Sequence, residues 1–239
     1  ISVISISLGG GQYTGYCDNE VNSQYKSLIS QAVGKNISVV VATGNTGSTY
    51  TNKTGGIATP ACIENATRVT AVDKSDVMAS YAFRHFNFTD IIAAPGSSIV
   101  SLSYRGGTTS SSGTSMAAPH VSGAAALLRQ YHRLAYGGGV PRVSYIMNKM
   151  RMTGVQISDL SSGSTLLIPR VDVLALMRPF INYTATSVAN GSTVLANNVL
   201  INISSDVNLS AALLEWHYTN GTVRNISMSA FNGTSYYLT

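Results

Sequence analysis

The residue best suited to chemistry is Ser115, within Gly113-Thr114-Ser115-Met116-Ala117-Ala118-Pro119-His120-Val121-Ser122-Gly123-Ala124-Ala125-Ala126-Leu127-Leu128. The pattern puts a hydroxyl at the mouth of a buried apolar helix, where the positive end of the helix dipole favours negative charge. Backbone N–H groups of a first helical turn lack intrahelical acceptors, and they point to where an oxyanion could sit. Gly113 and the small side chains after Ser115 leave room for a substrate backbone, and Pro119 suits the opening turns of a helix. Against this stands the commonest role of a serine at a helix start, a simple cap. The run Thr114-Ser115-Met116-Ala117 lacks the second glycine of the G-x-S-x-G elbow, which argues against a lipase or esterase. No His, Cys, Asp and Glu cluster has zinc-ligand spacing, so no metal is expected.

The elements that must position Ser115 can be read outward from it. Ile1 to Leu8 reads as a buried strand ended by Gly9-Gly10-Gly11. A helix is expected next, with Val21, Tyr25, Leu28, Ile29, Ala32 and Val33 on one face, Asp18 or Asn19 as cap and Gly34 as stop. Ile37 to Ala42 is a β-branched strand ending at Thr43-Gly44-Asn45. Arg68 to Asp73, Asp90 to Ala94 and Ile99 to Tyr104 read as further strands, and Thr108 to Gly113 as a polar loop. Helices are expected over Thr114 to Arg133, Pro141 to Met152 and Arg170 to Met177. Strand, helix, strand in that order predicts an α/β fold with a parallel sheet flanked by helices. Sites in such sheets lie at the carboxyl ends of strands, where Gly9 to Gly11 and Gly44-Asn45 fall. Beyond Pro179 the texture changes to alternating strands (Thr193 to Leu195, Val199 to Ile203, Ala212 to Trp216, Val223 to Met228) with Asn-Gly turns. The expected organisation is a first domain over 1–178 and a partial all-β, sandwich-like domain over 182–239. Trp216 reads as core rather than as a sugar platform.

Composition narrows the function classes. Charged residues are 10% of the 239, against about 25% in an average soluble domain, while apolar residues reach 44%. No apolar run approaches the roughly 20 residues of a membrane span. The net charge of +5 comes from scattered basic residues, not a patch or stripe, which argues against a nucleic-acid partner. Eleven of the 17 asparagines open an Asn-X-Ser/Thr triplet: Asn36, Asn52, Asn65, Asn87, Asn182, Asn190, Asn202, Asn208, Asn220, Asn225 and Asn232. Chance would give about four, so glycosylation in an extracellular setting, secreted or at the cell surface, is expected. There the two cysteines, Cys17 and Cys62, are expected to pair. Ile1 has no preceding Met and begins inside a strand pattern, so the expectation is part of a longer protein.

The stretch GTSMAAPHVSGAAALL resembles the nucleophile motif of subtilisin-like serine proteases, the subtilases. VISISLGG (Val3 to Gly10) resembles that family's substrate-pairing strand, and ISVVVATGNTGS (Ile37 to Ser48) the strand ending in its oxyanion asparagine. Thr59-Pro60-Ala61 resembles its cis-proline segment, and Ala94-Pro95-Gly96 its next hallmark. The resemblance implies that Ser115 attacks the scissile carbonyl of a protein or peptide substrate. Asn45 and the Ser115 N–H would stabilise the oxyanion, with Thr114 beside them in the substrate-binding set. Ser7, Leu8 and Gly9 on one side, and Ala42, Thr43 and Gly44 on the other, would bind peptide as an added strand. Subtilases often bind calcium through loop oxygens, yet no Asp-X-Asp run occurs here, so no cofactor is assigned.

The chain also departs from the family. His120 follows Ser115 by five residues, but the family's histidine at that motif position is not its base. The base belongs to a His-Gly-Thr motif and its orienting Asp to an Asp-Ser/Thr-Gly motif. Neither occurs: His85, His120, His132 and His217 are never followed by Gly-Thr. Taken alone, the chain is expected to be inactive. Thr70 and Arg68 stand where small or apolar residues are usual. The expected function is a secreted subtilisin-like endopeptidase represented by its serine-bearing part. Two rivals are a non-catalytic surface or adhesion protein that keeps the scaffold, and a peptide ligase or cyclase. The β domain is expected to act as a spacer or cell-surface attachment module.

Overall fold

A computed structural model describes residues 1–21, 23–135, 139–160, 165–177, 181–183, 201–205, 212–217, 223–230 and 235–238. The chain divides into two units, Ile1–Met177 and Arg178–Thr239. The first unit runs β1 (Val3–Ile6), β2 (Gly10–Tyr13), α1 (Ser23–Gly34), β3 (Ser38–Ala42), β4 (Ile57–Thr59), β5 (Thr67–Val72), β6 (Ile92–Pro95), β7 (Ile99–Leu102) and β8 (Thr108–Ser111). It continues with α2 (Thr114–Ala135), α3 (Val143–Thr153), β9 (Val155–Asp159), β10 (Leu166–Arg170) and α4 (Val173–Leu176).

Six strands form one sheet in the order β1-β3-β5-β6-β10-β9. Neighbours are parallel from β1 to β10, and only β9 runs antiparallel. Side chains alternate across a pleated strand, so β3 serves both faces. Val39 and Val41 join the core shared with Ile29 of α1, while Val40 and Ala42 join the core shared with α2 and α3. Burial on both faces explains why β3 and β5 are continuous buried runs. The small side chains Ala117, Ala118, Ala124 and Ala125 let α2 lie close against β1, β3, β5 and β6. This is the α/β architecture expected from the sequence, a parallel sheet flanked by helices.

Several local expectations are corrected. The first strand is not buried: β1 is an edge strand, Ile4 is half exposed and Leu8 is 69% exposed. Its apolar run is set by sequence, but its outer edge has no neighbour among the described residues. On α1 only Ile29 is buried, with Ala32 and Val33 packed partly beside it, and Tyr25 and Leu28 face outward. The Asp18 carboxylate instead accepts from the Glu64 N–H at 3.1 Å, and α1 begins only at Ser23, five residues further on. The polar stretch after Thr108 is strand β8, paired with β7, because Ser and Thr tolerate an exposed hairpin. Arg170 ends β10 rather than starting a helix, and α4 begins only after the Asp172 cap.

Cys17 and Cys62 form a disulfide with Cα atoms 5.4 Å apart. The same turn is held from below by Arg68, which is fully buried. Its Nε donates to Ala61 O at 3.0 Å and its Nη2 to Ile63 O at 2.7 Å, while Nη1 pairs with Asp90. Tyr16 and Phe88 flank the guanidinium. Burial pulls the Arg68 pKa down, and the Asp90 carboxylate opposes that shift. Thr70 is satisfied as well, donating to Phe83 O at 3.1 Å.

The described residues of the second unit are β11 (Ile181–Tyr183), β12 (Ile201–Ser205), β13 (Ala212–His217), β14 (Val223–Ala230) and β15 (Ser235–Leu238). They make an antiparallel sheet ordered β11-β12-β15-β14-β13. The strand expected at Thr193 to Leu195, the Asn-Gly turns and the Trp216 side chain lie outside what is described.

Candidate active site

Ser7, Asn45, Thr114 and Ser115 come from three separate stretches of sequence and meet at the carboxyl ends of β1 and β3. Gly44 makes the turn between β3 and Asn45: its φ is +103°, and a Cβ there would lie 2.6 Å from the Phe83 ring. The chain beyond it is tied down by Phe83 N–H to Gly44 O at 2.9 Å, Thr46 N–H to Tyr81 O at 2.7 Å, and an Asn45–Ala82 bridge.

The Asn45 amide has a single defined orientation. Its Oδ1 accepts from the Thr114 N–H at 3.0 Å and from the Thr114 hydroxyl at 3.2 Å. Thr114 Oγ1 in turn accepts from the Gly44 N–H at 3.2 Å. Nδ2 is therefore the free end of the amide, and a Cβ on Gly113 would come within 3.4 Å of it. Asn45 is solvent-exposed, so this donor is open to a ligand. The Ser115 N–H lies in the first turn of α2, where no intrahelical acceptor exists.

Ser115 and Ser7 exchange two hydrogen bonds. Ser115 Oγ donates to Ser7 O at 3.1 Å, and Ser7 Oγ donates to Ser115 O at 2.9 Å. The second bond has a sequence cause. Pro119 lies inside α2 and has no N–H to give the carbonyl four residues back, which is Ser115 O. Ser7 supplies the missing donor. The structural role of the Ser7 hydroxyl was not read from the sequence, although a proline four residues after Ser115 was the available signal.

The two expected substrate-binding flanks differ. On the first, Ser7, Leu8 and Gly9 are exposed, and the missing Cβ of Gly9 lets Thr59 O approach. On the second, Ala42 and Thr43 are buried. Thr43 N–H donates to Val69 O and Thr43 O accepts from Ala58 N–H. Gly44 is bonded through both of its backbone groups, to Thr114 Oγ1 and from Phe83 N–H. The backbone groups of Thr43 and Gly44 are therefore taken up by the fold, which leaves that side as a wall, whereas Ser7 to Gly9 stay exposed.

No described histidine is positioned as a base by these contacts. His120 is exposed and bonds Met116 O through Nδ1 at 2.8 Å. His85 is buried, and its Nδ1 accepts from Asn87 N–H at 3.2 Å; burial lowers its pKa. His132 bonds Gly139 O. The His217 side chain lies outside the described residues. Among the described residues no three His, Cys, Asp or Glu side chains converge.

Behind Asn45 stands a charged support that sequence reading missed. Arg84 and Asp159 are both buried and pair in a fork, Nε to Oδ2 at 2.6 Å and Nη2 to Oδ1 at 3.1 Å. Arg84 Nη1 also donates to Ala79 O and Ala82 O, fixing the turn that bridges to Asn45.

Comparison with known proteins agrees with this fold. The profile of the Subtilase family matches residues 1–165. A thermophilic serine proteinase of Bacillus sp. (strain AK1) is 40% identical over 131 residues, 55% of this chain and 29% of its own length. An extracellular protease of Xanthomonas campestris pv. campestris is 39% identical over 134 residues, 53% of this chain and 21% of its own. The chain thus spans less than a third of either relative. The solved structure of the prenylagaramide maturation protease PagA covers 74% of this chain and 60% of its own, with a TM-score of 0.62 at 23% identity, a likeness of fold. With the family profile spanning the chain from β1 through β9, the chain belongs to the subtilase family of serine peptidases.

Proposed function

We propose that this chain is the serine-bearing part of a secreted subtilisin-like endopeptidase. Ser115 Oγ attacks the peptide carbonyl carbon as its proton passes to a base outside these 239 residues. The carbonyl oxygen becomes an oxyanion held by Asn45 Nδ2 and the Ser115 N–H. The C–N bond then breaks, the amine leaves with a proton, and water hydrolyses the acyl-enzyme. Substrate would pair along Ser7, Leu8 and Gly9, with Ala42 to Gly44 as the facing wall. Residues 1–178 would form this part of the catalytic domain, and 182–239 a sandwich-like spacer or cell-surface attachment module.

The observation that carries the reading is the Asn45 amide, turned by Thr114 so that a free donor lies beside the nucleophile. A preorganised donor of this kind is worth most where charge develops in the transition state. Without the base and its orienting carboxylate, the chain by itself retains only the residual rate of an oxyanion hole.

The test is labelling by a serine-directed fluorophosphonate in the longer protein that contains the base. Label on the Ser115 peptide, lost in Ser115→Ala, is the expected result. No label at Ser115, or label that survives the substitution, removes the reading. One observation favours the rival, a non-catalytic surface or adhesion protein: Ser115 Oγ bonds Ser7 O, and no described histidine is bonded to it. That rival predicts no His-Gly-Thr anywhere in the full gene and no labelling.

A further inference from the structure

Four Asn-X-Ser/Thr triplets fall in the first unit, alike in sequence and different in structure. Asn36 is half buried with φ +61°. Its Oδ1 accepts from the Val143 N–H at 2.9 Å, and its Nδ2 donates to Pro141 O at 3.2 Å and Val140 O at 3.5 Å. That amide joins the start of α3 to the end of α1, and both its ends are engaged. Asn65 Nδ2 donates once, to Ser30 Oγ at 3.2 Å, and Asn87 Nδ2 once, to Thr14 O at 2.8 Å.

Asn52 is the opposite of Asn36. It is exposed, on the segment between Asn45 and β4. Its Oδ1 accepts both the N–H and the hydroxyl of Thr54, each at 3.0 Å. The backbone is anchored as well, since Asn52 O accepts from Gln12 Nε2 at 2.5 Å. Nδ2 has no protein partner. A Cβ on Gly55 would lie 3.1 Å from it, so the glycine keeps the approach to this nitrogen clear.

We infer that Asn52 is an N-glycan acceptor of the folded, exported protein and that Asn36 cannot be one. The inference rests on the extracellular reading above but not on peptidase activity. In the transfer, Asn52 Nδ2 forms a bond to the anomeric carbon of a polyprenyl-pyrophosphate-linked oligosaccharide. The bond from that carbon to the pyrophosphate oxygen breaks, its electron pair leaves on the pyrophosphate, and one amide proton goes to the transferase base. The substituted nitrogen keeps one N–H. That leaves the Oδ1 bonds of Asn52 untouched and suffices for the single bond of Asn65 or Asn87. At Asn36 the glycan would have to occupy the space filled by the Val140–Pro141 backbone.

The test is to express the full chain, carrying Ser115→Ala, behind a cleavable leader in a eukaryotic secretory host. Secreted, protease-resistant material is then mapped at each triplet by peptide mass spectrometry after glycosidase release in ¹⁸O water. The expected result is ¹⁸O label at Asn52 and none at Asn36, with Asn52→Gln losing one glycan mass while the Cys17–Cys62 bridge still forms. An unmodified Asn52 overturns the inference, whether or not other triplets carry glycan. So does a glycan on Asn36 in the protease-resistant fraction. If the chain is retained in the cell, the retained pool is mapped in the same way, and an empty Asn52 there has the same consequence. Because Ser115→Ala is inactive by design, a failure here says nothing about the peptidase reading, which phosphonate labelling tests separately.

Discussion

Two polar clusters lie on either side of Asn45, and they are built on opposite rules. Behind it, Arg84 and Asp159 are charged, buried and bonded at Nε, Nη1 and Nη2 on one side and both carboxylate oxygens on the other. In front, Ser7, Asn45, Thr114 and Ser115 are neutral, and two donors are left over, Asn45 Nδ2 and the Ser115 N–H. A buried charge must be fully paired, because an uncompensated one is costly. A binding site must keep donors unfilled but aimed, which is possible only where water can satisfy them in the resting state. The saturated cluster holds the frame, and the unsaturated one keeps its capacity for a ligand.

The comparison is broken most severely by removing half of the ion pair. Asp159→Asn leaves the Arg84 charge buried, and a loss of about 3–5 kcal/mol in urea unfolding is expected. Replacing both partners, Arg84→Met with Asp159→Leu, should recover much of that loss. If Asp159→Asn shifts the urea midpoint no more than a surface substitution does, the frame role is wrong.

The front cluster should answer in the opposite way. Asn45→Ala is expected to slow fluorophosphonate labelling of Ser115 in the longer protein by about 10²–10³, the size seen when a subtilisin loses its oxyanion donor. Its urea midpoint should move far less than that of Asp159→Asn. A variant that lost stability without losing labelling rate would place Asn45 with the frame instead.

A smaller effect tests the link between Ser7 and Pro119. Ser7→Ala leaves Ser115 O without a donor and should cost about 1 kcal/mol. In a Pro119→Ala background the helix N–H returns, and the same substitution should cost clearly less, a coupling of about 0.5 kcal/mol or more in a double-mutant cycle. Equal costs in the two backgrounds would mean that the two residues act independently.

The smallest effect is expected from His85. Its pKa in the folded chain is lowered by burial from the ordinary 6.5, so below that pH the unfolded chain binds more protons than the folded one. This contribution to stability is therefore complete above pH 6.5 and declines as the pH falls below it. Protonation at Nδ1 also removes the acceptor for Asn87 N–H. His85→Gln should flatten the acid limb of a stability–pH curve, and an unchanged limb would show that His85 does not govern it.

The sequence by itself determined which segments became β1, β3, β5 and β6 and the main helices of the first unit. It did so because alternation, β-branching and helical periodicity are local properties. Ser115 could be picked out the same way, since the glycine, the small residues and the helix start are contiguous with it. The exposed hairpin β7–β8 and the short β2, β4, β9 and β10 were less legible, because their pairing partners are remote or their residues polar. Tertiary structure alone decided which way the Asn45 amide faces, through a contact 69 residues away in sequence. It also decided that Ser7 replaces the donor missing at Pro119, 108 residues from its acceptor, and that Arg84 finds Asp159 across 75. It left β1 at an exposed edge and engaged the backbone groups of Thr43 and Gly44 within the fold. Each of these depends on which strand lies beside which, and strand order is set by packing over the whole sheet, a property that no window of sequence contains.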